Sequence, residues 1–159
     1  MNRNIVYILV GVPGSGKSTL IHKMMDEHTT IVSADHYFMR DGKYCFDRQQ
    51  LGKAHASCQS NFELAIKLRT KTIFVDNTNI RARDRKFYID MALDNDYEVE
   101  ILALPVDVNI SVARNVHGVP AEAIQRMKDS CDLEFGKIYK VTKTDTTVIG
   151  EITREQVGF

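Results

Sequence analysis

The sequence predicts an α/β fold in one domain over residues 1–159, a parallel β-sheet of about five strands flanked by helices and closed by a helical lid. Three observations predict it. An apolar run, Ile5-Val6-Tyr7-Ile8-Leu9-Val10, leads straight into the glycine-rich stretch Gly11-Val-Pro13-Gly14-Ser15-Gly16-Lys17-Ser18-Thr19. Further apolar and β-branched runs recur along the chain, with helical periodicity between most of them. Polar and charged residues gather where those runs stop, which is where open α/β sheets place their ligands.

Taken in order, Ile5 to Val10 reads as the first strand and Ser18 to Glu27 as the helix that follows the glycine-rich turn. Thr30 to Ser33 is a short second strand. Gln49 to Arg69 carries Leu51, Ala54, Ala56, Cys58, Phe62, Ala65, Ile66 and Leu68 on a helical stripe expected to pack in the core. Thr72 to Asp76 is a strand, and Arg83 to Asp94 a helix with Phe87, Ile89, Met91 and Leu93 as its apolar residues. Glu98 to Leu104 is a strand ending at Pro105, and Thr146 to Ile149 the last β-rich run. Pro120 sits at a first-turn position of a helix with Glu122 early and Lys128 late, an arrangement that suits the helix dipole.

A chain of 159 residues is large enough to bury roughly 70% of the surface its unfolded form exposes, and holds one catalytic domain. The 21 basic residues balance the 21 acidic ones, so any attraction for a polyanion has to be local rather than a property of the whole molecule. Three widely spaced cysteines, Cys45, Cys58 and Cys131, form neither a zinc pattern nor a disulfide framework, and the expected setting is a reducing, cytoplasmic one. The six apolar residues near the start are too few for a signal peptide or a membrane span, so no membrane partner is expected.

Gly11, Gly16, Lys17 and Ser18 satisfy the phosphate-loop pattern G-x-x-x-x-G-K-[ST], in the strand-to-helix context that it requires. Glycines at 11, 14 and 16 let successive backbone N–H groups turn inward around a polyphosphate, and the helix that follows adds its positive end. Lys17 is placed for the β and γ phosphates and the Ser18 hydroxyl for magnesium. These residues predict a nucleoside triphosphate site.

Three further groups bear on the chemistry. Asp35, just beyond Thr30 to Ser33, is the best general base, because a carboxylate with an ordinary pKa of about 3.9 is ionised at neutral pH; an aspartate there would equally cap a short helix. Asp76-Asn77-Thr78-Asn79 ends an apolar strand with groups suited to a magnesium shell or an acceptor. Arg114 lies in a segment that would cross the triphosphate as a lid, where its planar fork donates to two oxygens, or it serves a helix C-terminus. Arg81, Arg83, Arg85 and Lys86 form a local basic run that reads as a nucleic-acid grip or as a solvated helix face. Tyr37, Tyr44, Phe46 and His55 would stack bases or belong to the core or its rim.

Gly11 to Thr19, Ser33-Ala-Asp35-His-Tyr37-Phe38, Gly42-Lys-Tyr44-Cys-Phe46-Asp47, Ala54-His55, Val75 to Asn79 and Arg114-Asn115-Val-His117-Gly118-Val-Pro120 come in that order. Together they resemble the phosphate-loop (P-loop) polynucleotide 5′-hydroxyl kinase family, seen in a bacteriophage enzyme and in animal ubiquitin-ligase-binding proteins, over about Ile5 to Met127. The resemblance implies ATP and Mg2+, with transfer of the γ phosphate to a 5′-hydroxyl of DNA or RNA. By motif position it implies Lys17 and Ser18 on phosphate and magnesium, Asp35 as general base and Arg114 as the lid arginine. Two departures stand out. The phage pattern has an acceptor-gripping arginine where this chain has Phe38, with Arg40 two residues on, and a second lid arginine where this chain has only His117. The expected site is therefore Gly11, Pro13, Gly14, Ser15, Gly16, Lys17, Ser18, Thr19 and Arg114 for the donor, Ser18 and Asp76 for the metal, and Asp35, Arg40, Thr78, Asn79, Arg81, Arg83 and Arg85 for the acceptor. Nucleic-acid 5′ ends are the expected partner. A kinase of another hydroxyl acceptor, such as a nucleoside, metabolite, nucleotide sugar or hydroxymethylated base, is the alternative, and a non-enzymatic nucleotide-binding module the third reading.

Overall fold

A computed structural model describes residues 3–159. In chain order its elements are β1 (Ile5–Val10), α1 (Lys17–Met24), β2 (Thr29–Val32), β3 (Met39–Arg40), β4 (Lys43–Tyr44), α2 (Leu51–Lys67), β5 (Thr72–Val75), α3 (Ala82–Asp94), β6 (Glu98–Ala103), α4 (Val108–Arg114), α5 (Ala121–Ser130), β7 (Lys137–Val141) and β8 (Thr146–Glu151). Short 3-10 turns add Ala34–Phe38, Arg48–Gln50 and Glu155–Val157.

The central sheet has the order β2-β5-β1-β6-β7-β8. Its first four strands are parallel, and β7 and β8 add an antiparallel hairpin at one edge. Side chains of β1 alternate between the two faces: Val6, Ile8 and Val10 enter a larger core under α2, α3 and α5, while Leu9 enters a smaller one with Leu20 and Ile21 of α1. Burial on both faces is why β1 reads as a continuous apolar run rather than an alternating one.

The α/β class and the parallel core of the sheet are as the sequence predicts. β7 was not among the expected strands, and its Lys-Ile-Tyr-Lys-Val pattern explains why: as part of an edge hairpin it carries charges between its apolar residues. The helical stripes also differ in detail. On α2 the buried residues are Ala54, Cys58, Phe62, Ala65 and Ile66, whereas Leu51, Ala56 and Leu68 face solvent. On α3 the buried positions are Arg85, Tyr88 and Ala92, with Phe87, Ile89, Met91 and Leu93 only half-buried. Pro120 is the N-cap of α5 rather than its first helical residue.

Arg85 is thus a core residue. Its Nη1 donates to the carbonyls of Asn79 (2.8 Å) and Ile80 (3.1 Å), and its Nη2 to both carboxylate oxygens of Asp132 (2.7 and 2.8 Å). The guanidinium therefore fastens the loop after β5 to the segment after α5, and the basic run loses one member to the interior. Removing the counterion leaves a buried charge without its partner, so Asp132→Ala is expected to cost about 3 kcal/mol, the low end for a broken buried pair because the carboxylate itself is half-exposed. Urea unfolding checks this; a loss below about 1 kcal/mol would place the pair among ordinary surface bridges.

Candidate active site

Strand β1 delivers the chain to Gly11, whose N–H donates to the Thr78 carbonyl at 3.1 Å, tying the phosphate loop to the end of the neighbouring strand. Gly14 and Gly16 have φ of 78° and 96°, in the left-handed region that favours glycine. Both also sit where no side chain fits. A Cβ on Gly14 would run into the Ser111 carbonyl and come within 2.9 Å of the Asn115 nitrogen; one on Gly16 would strike the Val157 carbonyl and come within 2.7 Å of its Cβ. The loop is therefore wedged between α4 and the C-terminal 3-10 turn. Gly16 caps α1, and Lys17 arcs back so that its Nζ donates to the carbonyls of Gly11 (3.1 Å) and Val12 (3.2 Å).

The second strand end is organised by Asn77. Its Oδ1 accepts from the Ala34 N–H at 2.9 Å, and its Nδ2 donates to Cys58 Sγ at 3.6 Å, where Tyr88 OH also donates at 3.2 Å. Burial raises the pKa of the Cys58 thiol, so this buried cluster is a structural brace. Ser33 Oγ accepts from the Asp35 N–H at 3.1 Å, capping the 3-10 turn and presenting the Asp35 carboxylate to the cleft. Both roles open to Asp35 in sequence are thereby separated: Ser33 does the capping, leaving the carboxylate free to project.

The projecting carboxylate meets two aromatic groups. Tyr44 OH donates to Asp35 Oδ1 at 3.1 Å, and His117 Nε2 lies 3.6 Å from Oδ2, with the two rings 4.2 Å apart. Tyr44 arrives there on the β3–β4 hairpin, closed by Asp41 and Gly42 at φ 52° and 76°, an Asp-Gly turn with both residues left-handed. Phe38 is buried beneath this hairpin, against the rings of Tyr44 and Phe46, which accounts for an apolar residue at a position where the resemblance expected arginine. The Tyr44 pKa is pushed up to about 12, first by burial and then by the charge of Asp35 and the hydrogen bond to it, so the phenol remains a donor.

At the third strand end, burial raises the Asp76 carboxyl pKa, partly offset by the Lys17 charge, and Asp35 pushes it the same way as burial. Burial lowers the Lys17 pKa in turn, and Asp76 and Asp35 oppose that shift. Each charge is desolvated and each is stabilised by the other.

Arg114 ends α4, with Nη1 donating to the Val157 carbonyl at 3.2 Å and its guanidinium 5.2 Å from the centre of the Phe159 ring. Asn115 closes the loop behind it, accepting from the Val119 N–H at 2.9 Å and donating to the Val112 and Val119 carbonyls at 3.2 Å each. These elements enclose a cleft of about 270 Å³ onto which Lys17, Ser18, Asp35, Asp76, Arg114 and His117 converge.

Pro13, Gly14, Gly16, Thr19 and Thr78 line the same cleft. Gly11 and Ser15 are buried, the Ser15 hydroxyl without a hydrogen-bond partner inside the loop. Arg40 is exposed on β3 and does not line the cleft. Asn79 is buried, and its Nδ2 donates to the Leu9 carbonyl at 2.8 Å, holding the β5 loop to β1. Arg81 and Arg83 border an adjoining groove, and Arg85 belongs to the core as described. Asn77, expected with its neighbours to serve a magnesium shell or an acceptor, lines the cleft but engages its amide with Ala34 and Cys58; those two bonds, the Tyr44–Asp35 bond and the C-terminal turn were not foreseen from the sequence. The Asp41-Gly42 pair was the available signal for the hairpin; the C-terminal turn had none.

The oxygen donors Ser18 and Asp76 beside a lysine fit magnesium on a phosphate chain, because that ion takes one or two protein oxygens and keeps phosphate and water for the rest. Among the described residues no group of three or more His, Cys, Asp or Glu forms a self-sufficient metal cage.

Residues 6–133 match the AAA domain family. Human NEDD4-binding protein 2 is 34% identical over 131 residues, which is 77% of this chain and 7% of that protein. A protein of Acanthamoeba polyphaga mimivirus named "Putative bifunctional polynucleotide phosphatase/kinase" is 27% identical over 112 residues, 70% of this chain and 23% of that one. The chain thus spans less than a quarter of either relative's length. Among solved structures, a chain of the Pnkp1/Rnl/Hen1 RNA repair complex superposes with a TM-score of 0.63 at 19% identity, covering 84% of this chain and 48% of that one. The wedged phosphate loop, the three strand ends and this match agree: the chain belongs to the AAA domain family, with a P-loop kinase fold.

Proposed function

We propose that the protein is an ATP-dependent polynucleotide kinase that transfers the γ phosphate to the 5′-hydroxyl of a DNA or RNA end. The observation that carries this reading is the placement of the Asp35 carboxylate in one cleft with the phosphate loop and Arg114. A carboxylate beside the phosphate loop can take the proton of an attacking alcohol, the step that a kinase adds to triphosphate binding. The polynucleotide acceptor is supported by the name of the mimivirus relative and by the ordered motifs it shares with the family that the sequence resembles.

In this reading the loop N–H groups and Lys17 Nζ hold the triphosphate, with Lys17 exchanging its two carbonyl partners for phosphate oxygens. Ser18 and Asp76 would hold magnesium, which would supply charge neutralisation on the phosphate chain. Asp35 Oδ1 is fixed by Tyr44, and Oδ2, on the side of His117, accepts the proton of the acceptor hydroxyl as its oxygen attacks phosphorus in line. Arg114 stays charged while negative charge moves toward the leaving diphosphate, and its contact with the Val157 carbonyl pre-orients it.

Asp35→Ala is expected to lower the rate of transfer to a 5′-hydroxyl oligonucleotide roughly 10²- to 10⁴-fold. ATP binding, followed by calorimetry, is expected to survive; near wild-type turnover would assign Asp35 to structure. Tyr44→Phe removes a hydrogen bond to a charged group and is expected to lower kcat about tenfold. With the phenol pKa pushed up to about 12, this deficit stays constant from about pH 7 to pH 10, whereas a phenol of ordinary pKa, about half ionised at pH 10, would lose about half of it there.

A further inference from the structure

Beside the catalytic cleft, the start of α3 and the inner side of α5 enclose a second groove of about 680 Å³. Thr78 lines both, so the two adjoin at that residue. Three guanidiniums border the groove, Arg81 and Arg83 from the start of α3 and Arg126 from α5, and none has a carboxylate within ion-pair distance among the described residues. Their neighbours differ: Arg85 is paired with Asp132 and Lys86 with Asp90. Two carboxylates also line the groove, and both are engaged within their own helical segments. Asp84 accepts from the Arg81 N–H at 3.2 Å, and Asp129 from Gln125 Nε2 at 2.9 Å.

The floor is Ile80, Ala123 and Met127, with no aromatic ring. Three unpaired cations over an aliphatic floor suit a ligand that presents repeated negative charge and needs no base stacking, which describes a phosphodiester backbone. The volume is that of a drug-sized ligand and accommodates a short single-stranded segment.

We infer, resting on the polynucleotide reading above, that the acceptor strand leaves the reaction centre past Thr78 and runs along this groove, its internal phosphates against Arg81, Arg83 and Arg126. Affinity then comes from nucleotides downstream of the reacting end, and Arg126 supplies from α5 the grip that Arg85, turned into the core, does not. The enzyme reads the strand as a backbone and tolerates any sequence.

The test compares 5′-hydroxyl acceptors of increasing length, from thymidine 3′-monophosphate to the hexanucleotide, with the intact protein and with Arg126→Ala and Arg126→Glu. In the intact protein the acceptor KM is expected to fall at least tenfold from mononucleotide to hexamer. Arg126→Ala is expected to raise the hexamer KM roughly 5- to 10-fold relative to the mononucleotide KM and to lower the salt slope of hexamer binding by about one, with a larger effect for Arg126→Glu. A length-independent KM, or the same length dependence in Arg126→Glu, overturns the inference. Fluorescence anisotropy of a 3′-labelled hexamer reads the groove without turnover. If no oligonucleotide accepts phosphate, the kinase reading fails, while weaker hexamer binding by Arg126→Glu still supports the groove; equal binding overturns it.

Discussion

The site depends on two backbone approaches to the phosphate loop, Gly14 against the end of α4 and Gly16 against the C-terminal turn. Neither leaves room for a Cβ, and both glycines also hold left-handed torsions. The same contacts position the chemistry. Because α4 rests on Gly14, Arg114 at its end is aimed over the loop; because the C-terminal turn rests on Gly16, its Val157 carbonyl and Phe159 ring are there to hold that arginine. Side-chain size at two loop positions thus sets the placement of Arg114, about a hundred positions away in sequence.

Around that frame the fold spends stability on charge. Lys17 and Asp76 are both desolvated, and each has its pKa moved by burial in the direction that disfavours its ionised form. Each opposes that shift in the other, and Asp35 opposes it in Lys17 as well. Asp35 stands differently, exposed at the rim with Tyr44 and His117 at its two oxygens. In the proposed reaction, the partly buried Lys17 and Asp76 would serve the phosphates and the exposed Asp35 carboxylate the acceptor.

Much of this was legible in the sequence. The phosphate loop, the parallel strands and the polar residues at their carboxyl ends are local patterns, and local patterns survive without coordinates. The remainder depended on contacts between distant segments. Arg85 sits in a basic run and looks solvated until Asp132, 47 residues on, turns out to be its counterion. The burial of Phe38 and the approach of Tyr44 to Asp35 both follow from a hairpin of two-residue strands, too short to show a periodicity. β7 was obscured by the lysines that an edge hairpin tolerates. The support for Arg114 comes from a C-terminal turn that carries no motif.

The central claim is that the cleft joins a triphosphate to a 5′-hydroxyl end, and locating the transferred phosphate tests it most directly. The protein is incubated with γ-labelled ATP, magnesium and a 5′-hydroxyl oligonucleotide, and the product is digested to mononucleotides. The account predicts label on the 5′ phosphate of the terminal nucleotide and none on an oligonucleotide already phosphorylated there. Label on small alcohols with none on any DNA or RNA end, or no transfer to any acceptor, would contradict it.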